Sequence, residues 1–150
     1  MDHEKLDSII RFAIDREQEA VNFYQELQTK TKFSGKKEFL NSLEMMEKGH
    51  IEILRHIQRQ TVSQLDIPAV ANMKISDYLV PAQSEGEMSY QDIIITAMKR
   101  EEASYKLYSM LAGNFQDADT RKLFEKLASE EAQHKSRFEE IYDQEILKEN

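Results

Sequence analysis

The amino-acid sequence predicts an all-α protein, a four-helix bundle made of two antiparallel helical hairpins joined by a long crossover. Three observations lead to this prediction. The 150 residues include only 4 Gly and 2 Pro, and 32% are charged, a balance typical of long, solvated helices. Four segments place apolar residues at helical spacing, and the second half of the chain repeats the first. Because one hairpin cannot bury its own apolar face, a repeated hairpin indicates a bundle with approximate internal two-fold symmetry.

The first two predicted helices form the first hairpin. One runs from about residue 6 to residue 29, the segment TKFSGKK breaks the pattern, and the next runs from about residue 37 to residue 60. Each helix carries one apolar stripe that a glutamate interrupts. The predicted inward positions are Ile9, Ile10, Ala13, Glu17, Ala20, Val21, Tyr24 and Leu27, then Phe39, Leu40, Leu43, Glu47, His50, Ile51, Leu54 and Ile57.

The third and fourth helices form the second hairpin. The third begins near Ser89, a predicted N-cap with Asp92 in the first turn, and ends at the segment AGNF. Asp117 marks the start of the fourth helix, which runs from about Ala118 almost to the end of the chain. Residues 61–88 hold both prolines and are predicted to form the crossover, with a short helix around the segment ISDYLV.

The internal repeat is the strongest pattern in the sequence. A shift of 84 positions superposes the two halves without a gap, so that they cover approximately residues 1–66 and 85–150 of a single domain. The shift pairs Ile10 with Ile94, Ala13 with Ala97, Arg16 with Arg100, Glu17 with Glu101, Tyr24 with Tyr108, Leu27 with Leu111, Leu43 with Leu127, Glu47 with Glu131, His50 with His134 and Ile57 with Ile141.

Two Glu-x-x-His pairs lie on inward helical faces, where a core would prefer leucine. Each pair begins 30 residues after a glutamate of the preceding helix. With a rise of about 1.5 Å per residue, the two glutamates of each hairpin lie at a similar distance from its turn, and therefore at one height. The i, i+3 spacing places each histidine beside its glutamate. The six residues are Glu17, Glu47, His50, Glu101, Glu131 and His134.

Four carboxylates and two imidazoles in one buried layer predict a site for two divalent cations. Buried carboxylates are costly unless paired, and two such cations supply four positive charges against four glutamates. Oxygen and imidazole ligands without thiolate favour iron or manganese, and zinc also suits such a set. A single Glu-x-x-His pair indicates only a charged, solvated helix, whereas two pairs in register with the repeat indicate a metal site. Glu19, Glu102 and Glu130 are rejected as ligands. Glu19 is predicted to face water, and Glu102 and Glu130 are predicted to lean toward Lys99, Lys106 and Lys126.

These motifs resemble those of the ferritin-like superfamily, and within it the rubrerythrin family, over essentially the whole chain. The segments REQEAVNFY and REEASYKLY are similar to that family's first-helix and third-helix signatures. The segments MEKGH and SEEAQH resemble its two Glu-x-x-His helices. The resemblance implies a ferritin-like four-helix bundle that holds two iron ions. It implies terminal ligands at Glu17 and Glu101, bridging ligands at Glu47 and Glu131, and one capping histidine for each metal at His50 and His134.

The resemblance also implies a function and partners. It points to an oxidoreductase that reduces peroxide or dioxygen with electrons from a separate donor protein such as a rubredoxin, and to a homodimer. Two departures from the family pattern argue against rubrerythrin-type peroxidase turnover but leave the metal ligands intact. The chain has no cysteine, so it lacks the rubredoxin-like domain of full rubrerythrins. Ser104 stands where those proteins carry an additional third-helix carboxylate.

Alternative functions share the same cluster of side chains. It could serve as a ferroxidase centre for iron storage, in which case the protein forms a large symmetric shell. It could equally be a structural site, filled for example by zinc, in a non-enzymatic interaction or sensing module. Oxygenation of an organic substrate is less favoured, because the chain offers no obvious extra length for a substrate pocket.

Five further residues near the predicted ligands have open roles. Tyr24 and Tyr108 lie two turns after the terminal glutamates and serve either as core aromatics or as second-sphere or electron-relay groups. Ala20 and Ser104 are small, which either permits close helix packing or leaves room for dioxygen or peroxide. Glu44, one turn before Glu47, is either a carboxylate supporting the site or a charge at the rim of the bundle. The 7 methionines are interpreted as core filler.

Composition excludes several other classes of function. The formal net charge of −8 repels a phosphate backbone, so nucleic acid is not an expected partner. No apolar run is long enough to span a bilayer, and the N-terminal MDHEKLDSII lacks the features of a signal peptide. The absence of cysteine rules out disulfides and thiolate sites and fits a reducing compartment. A cytoplasmic protein is therefore expected.

Overall fold

A computed structural model describes residues 2–60 and 88–147 of the chain. These residues form four long helices, α1 (Asp2–Gln28), α2 (Lys37–Arg59), α3 (Tyr90–Asn114) and α4 (Ala118–Ile141), and contain no β-strand. A 3-10 helix, Thr31–Lys36, precedes α2, and a π-helical turn, Tyr142–Ile146, follows α4. The fold class is therefore all-α, with four helices, as predicted. Most of the predicted crossover, including the segment ISDYLV, lies outside the described residues.

Helices α1 and α2 form an antiparallel hairpin around one apolar stripe. At one end Gln58 Nε2 donates to Asp7 Oδ1 at 3.1 Å, and near the turn Gln25 Nε2 donates to Glu44 Oε2 at 3.0 Å, which fixes the antiparallel register. All but one of the predicted inward positions of the two helices are buried, the exception being the half-buried Phe39. The helical period of the sequence thus predicted the packed face of both helices.

The connection between α1 and α2 is more ordered than the predicted break. The end of α1 tightens through bonds from Thr29 N to Glu26 O, at 3.0 Å, and from Lys30 N to Leu27 O, at 3.1 Å. The following 3-10 helix buries Phe33, which is 1% exposed and has non-helical backbone angles of φ −111° and ψ 17°. Burial of this ring contributes about 1.5–3 kcal/mol, which helps to anchor the turn of the hairpin.

Helices α3 and α4 begin at the predicted caps. Ser89 Oγ accepts a hydrogen bond from Asp92 N at 3.1 Å, as an N-cap does. Asp117 Oδ2 accepts from both N and Oγ1 of Thr120, at 2.9 and 2.8 Å, and these bonds lower the pKa of Asp117 below its usual value. Arg121, in the first turn of α4, donates through Nη2 at 2.8 Å to the backbone carbonyl of Phe115, which precedes the cap. The capping signals in the sequence therefore predicted where both helices start.

The two helices of the second hairpin also run antiparallel. Tyr90 OH donates to Glu145 Oε1 at 3.0 Å at one end, and the ring of Tyr108 stacks on Phe124 with 6.2 Å between centroids near the other. Desolvation and, to a smaller extent, the hydrogen bond to the Glu145 carboxylate raise the pKa of Tyr90 above its usual value. The bond between Tyr90 and Glu145 holds the π-helical turn after α4 against the start of α3.

The chain divides into two compact units. The first contains α1 and α2 together with residues 114–123, and the second contains α3 and most of α4. The residue pairs named above for the repeat have matching burial, for example 0% exposure for Ala13 and Ala97 and 1% for Tyr24 and Tyr108. The repeat thus has the same inward face in both hairpins. The predicted boundaries of its halves, at residues 1–66 and 85–150, remain a prediction.

The structure tests two expectations about apolar residues, one on membrane spans and one on the methionines. None of the helices in the described ranges combines the length and hydropathy needed to cross a bilayer. The interpretation of the methionines as core filler is wrong for Met45 and Met46, which are 56% and 37% exposed. Both residues come directly after Glu44 in α2, and their side chains lie on the solvent-facing side of that helix, away from its apolar stripe.

Candidate metal centre

The six predicted ligands are all buried charged or titratable residues on the inward faces of the helices. Their exposed fractions lie between 0% for Glu131 and 5% for His134. Carboxylates and imidazoles are rarely buried so completely without a partner of opposite charge or a metal ion. The structure places three of them in each unit: Glu17, Glu47 and His50 in the first, and Glu101, Glu131 and His134 in the second. We call these sets the first and the second half-site.

In the first half-site, α1 supplies Glu17 and α2 supplies the Glu-x-x-His pair. His50 Nδ1 lies 3.3 Å from Glu17 Oε2 and 3.3 Å from Glu47 Oε1. One ligand atom from each of the three residues lies within 4.8 Å of the other two. The predicted equal height of the two glutamates along the hairpin is thus present in the structure, because the same histidine reaches both.

The second half-site repeats this arrangement on α3 and α4. His134 Nδ1 lies 3.4 Å from Glu101 Oε2 and 3.9 Å from Glu131 Oε1. The ligand atoms of these three residues also lie within 4.8 Å of one another. The side chain of His134 is 7% exposed, compared with 2% for His50, so the second half-site is slightly more open to solvent.

The spacing of these atoms suits the edges of a metal coordination shell. With metal–ligand bonds of about 2.0–2.2 Å, two ligand atoms at 90–120° to each other are separated by about 2.9–3.7 Å. Both distances of the first half-site and the His134–Glu101 distance lie in this range, while the His134–Glu131 distance corresponds to a wider angle. All four exceed the roughly 2.7–2.9 Å of a strong charge-assisted hydrogen bond.

The donor chemistry also fits a metal. Each half-site buries two carboxylates, and one divalent cation would balance their charge. Oxygen and imidazole donors without sulfur suit Fe²⁺, Mn²⁺ or Zn²⁺, and the chain has no cysteine that would favour a softer site. The residues present therefore fit a bound divalent cation in each half-site.

Two of the three carboxylates rejected as ligands, Glu19 and Glu102, form ion pairs with residues outside the half-sites. Glu19 has a half-exposed side chain whose Oε1 lies 2.6 Å from Arg16 Nη2. Glu102 Oε1 lies 3.5 Å from Lys106 Nζ, as predicted, and its other oxygen lies 2.8 Å from Lys135 Nζ. Lys135 was not recognised in the sequence, because its contact with Glu102 joins two helices and no helical spacing signals it. The Lys135 hydrogen bond is the main cause that lowers the pKa of Glu102, and it raises the pKa of Lys135 in turn.

Glu44 joins the two helices of the first hairpin. Its carboxylate accepts hydrogen bonds from Gln25 Nε2 at 3.0 Å and Gln28 Nε2 at 2.9 Å, and it lies 2.7 Å from Lys48 Nζ. These bonds, that of Lys48 foremost, lower the pKa of Glu44 to about 2 although burial opposes them. The structure thus makes Glu44 a buried link between α1 and α2. Its two partners on α1 are 16 and 19 residues away in sequence, so no local pattern predicted them.

Both tyrosines predicted near the ligands are buried, with 1% exposure each. Tyr24 contacts the Phe23 ring, with 5.5 Å between centroids, and its backbone carbonyl accepts a hydrogen bond from Gln28 Nε2 at 3.1 Å. Tyr108 stacks on Phe124. These contacts show aromatic packing in the core, and a role of either hydroxyl in electron or proton transfer stays a prediction.

Comparison with known proteins identifies the family. No curated protein and no solved structure matches the chain significantly. The model of the rubrerythrin family matches residues 8–142, a span that covers α2, α3, α4 and most of α1. This range includes all six residues of the two half-sites, and the ferritin-like four-helix bundle is the fold that it implies. The chain therefore belongs to the rubrerythrin family.

Proposed function

We propose that this protein is a di-iron carboxylate oxidoreductase that reduces peroxide or dioxygen with electrons from a separate donor protein. The observation that carries the proposal is the duplicated buried half-site, with two glutamates and one histidine at ligand-like spacing in each hairpin. Membership of the rubrerythrin family supports it. In this proposal each half-site would hold one of the two iron ions through its two glutamates and its histidine.

The chain's own residues have three tasks in this reaction. The four glutamates would hold two divalent ions with their charges balanced, so the reduced site would be stable without further charges. The histidines bind through neutral nitrogen atoms, and the helices fix both rings before any metal arrives. The buried apolar residues around the ligands exclude water. When bound, a pair of ferrous ions supplies the two electrons that convert hydrogen peroxide and two protons to two water molecules.

Anaerobic loading with ferrous iron tests the proposal. We expect two iron ions per chain, and we expect one equivalent of hydrogen peroxide to oxidise both. Repeated turnover should require an added reductant. The measurements are iron content, absorbance in the near ultraviolet and peroxide consumption. A Glu19→Gln variant is the matched control, since Glu19 is an exposed neighbour of Glu17 on the same helix. Failure to retain iron, or retained iron that peroxide does not oxidise, would refute the proposal.

Two alternatives give different results in the same experiment. A ferroxidase that stores iron would continue to take up iron with dioxygen, far beyond two ions per chain, and would form a large shell. A structural site would keep its metal through peroxide treatment without a change of oxidation state. Metal content after growth in iron-replete medium, measured by elemental analysis, separates a zinc-filled structural site from the proposed iron site.

A further inference from the structure

The two half-sites have the same ligands but different surroundings. Ile51, next to His50 in the first half-site, is buried with 5% exposure, whereas its repeat equivalent beside His134 is Lys135, whose side chain is 34% exposed. One turn after the first-helix glutamate, Ala20 is 8% exposed. Its equivalent in the second half-site is Ser104, which is half-buried. At both positions, a buried apolar residue of the first half-site is replaced by a partly solvated polar one in the second.

A charged group lies at the Lys135 side of the second half-site. Lys135 Nζ contacts Glu102 Oε2 at 2.8 Å, which joins α4 to α3 directly beside two ligands, since Glu102 follows Glu101 and Lys135 follows His134. Two further charges flank the pair, with Lys106 Nζ 3.5 Å from Glu102 and Glu139 Oε1 3.8 Å from Lys135 Nζ.

We propose that metal ions enter and leave the protein at this side of the second half-site, past the Glu102–Lys135 pair. This inference rests on the proposed metal centre and adds the route to it. A divalent cation that approaches a buried ligand must exchange its water for protein groups, and partly solvated polar side chains lower the cost of that step. The buried Ile51 offers no such polar group at the equivalent position of the first half-site. A carboxylate at the entrance attracts the cation and an ammonium group repels it.

Two substitutions separate this role from a purely structural one. Glu102→Gln removes the attractive charge and leaves Lys135, so it should slow metal uptake. Lys135→Gln removes the repulsive charge and leaves Glu102, so it should accelerate uptake. At low ionic strength we expect changes of about two- to five-fold in opposite directions, falling towards no change at about 1 M salt. Both variants break the same ion pair, so a structural clamp would shift both in the same direction.

The rate is measured by stopped-flow transfer of Zn²⁺ from a fluorescent indicator to the metal-free 150-residue chain. Zinc is redox-inert, so the readout is independent of oxidant turnover. The matched control is Gln18→Glu, which places a negative charge at the repeat equivalent of Glu102 beside the first half-site. We expect this variant to leave the uptake rate within about 1.3-fold of wild type, since the buried Ile51, and no polar residue, stands at the position equivalent to Lys135.

The outcomes distinguish this inference from the proposed function. Opposite, salt-sensitive shifts for the two variants, together with an unchanged rate for Gln18→Glu, support the route past Glu102 and Lys135. Shifts of the same sign, no shift, or an equal acceleration by Gln18→Glu would overturn it while leaving the metal centre intact. If the wild-type chain takes up no zinc at all, the metal centre itself is refuted, and the inference falls with it.

Discussion

At the scale of single residues, burial of like charges dominates the behaviour of the site. Glu17 and Glu47 are each 1% exposed, and their ligand atoms lie within 4.8 Å of each other. Two carboxylates this close repel each other unless a cation lies between them. The geometry therefore favours metal binding at the expense of the stability of the metal-free protein.

Glu17→Gln separates these two contributions. The substitution removes one buried charge at nearly constant volume, so we expect the metal-free variant to gain about 1–3 kcal/mol in free energy of unfolding. The stabilisation that Zn²⁺ adds should shrink, because one ligand is lost. Urea unfolding at neutral pH with and without Zn²⁺ measures both effects, and Glu19→Gln is the control. A variant less stable than wild type in the absence of metal would contradict the expected repulsion.

The paired positions Ala20 and Ser104 give a second prediction at this scale. Leucine at buried position 20 overpacks the core and should cost about 1–3 kcal/mol, whereas leucine at half-buried position 104 should cost less than about 1 kcal/mol. If peroxide reaches the metals over these small residues, each leucine should also slow iron oxidation without loss of loaded iron. Thermal unfolding and stopped-flow oxidation are the measurements. Intact loading with unchanged oxidation in both variants would end the access hypothesis.

At the scale of helices, each hairpin is held by its own polar link. In the first hairpin Glu44 of α2 accepts bonds from Gln25 and Gln28 of α1. In the second hairpin the repeat equivalent of Glu44 is Ala128, and the Glu102–Lys135 pair joins the helices instead. The two halves share a core pattern and ligands, but the polar contacts between their helices differ.

The Glu44 link should make stability depend on pH. The pKa of Glu44 in the folded protein, about 2, lies below its usual 4.5, so the carboxylate stabilises the fold above about pH 4.5 and loses this contribution as pH falls towards 2. Glu44→Gln should therefore cost about 1–2 kcal/mol at pH 6 and much less at pH 3. Urea unfolding of metal-free protein at both pH values tests this. Exposed Glu38→Gln on the same helix is the control, and an equal cost at both pH values would argue against the link.

At the scale of the whole molecule, metal binding should couple to stability. Ligands that bind only the folded state stabilise it by mass action, by about 4 kcal/mol at a free concentration a thousand times Kd. For a chain of this size that corresponds to an increase of about 8–16 °C in Tm. Calorimetry with and without Zn²⁺ measures the shift. The double variant His50→Ala/His134→Ala should lose most of it, and a shift that survives in this variant would place the metal elsewhere.

The oligomeric state separates the proposed function from iron storage. We expect a homodimer in size-exclusion chromatography with light scattering, as the family resemblance implies, both with and without bound metal. A storage protein needs a large closed shell, so a 24-subunit particle would favour the ferroxidase alternative. This measurement needs no knowledge of the electron donor and can be made on the metal-free chain.

The sequence by itself determined the helices, their inward faces and the choice of six candidate ligands. Helical period and repeat register act through local geometry, so positions such as Glu17 and His50 could be assigned to one face and one height without coordinates. The capping residues Ser89 and Asp117 likewise signal helix starts through contacts with residues three positions away.

Only the tertiary structure decided what lies beside those ligands. The partners of Glu44 and the Glu102–Lys135 pair depend on side chains from two helices. The exposure of Met45 depends on how far its face of the helix is covered. The repeat makes the ligands of the two half-sites equivalent in sequence, but their neighbours differ in the structure. Ile51 is buried beside the first half-site, whereas Lys135 is partly exposed beside the second. Local spacing specifies which face a residue occupies, but the environment on that face is set by segments distant in the chain, and no single-helix pattern encodes it.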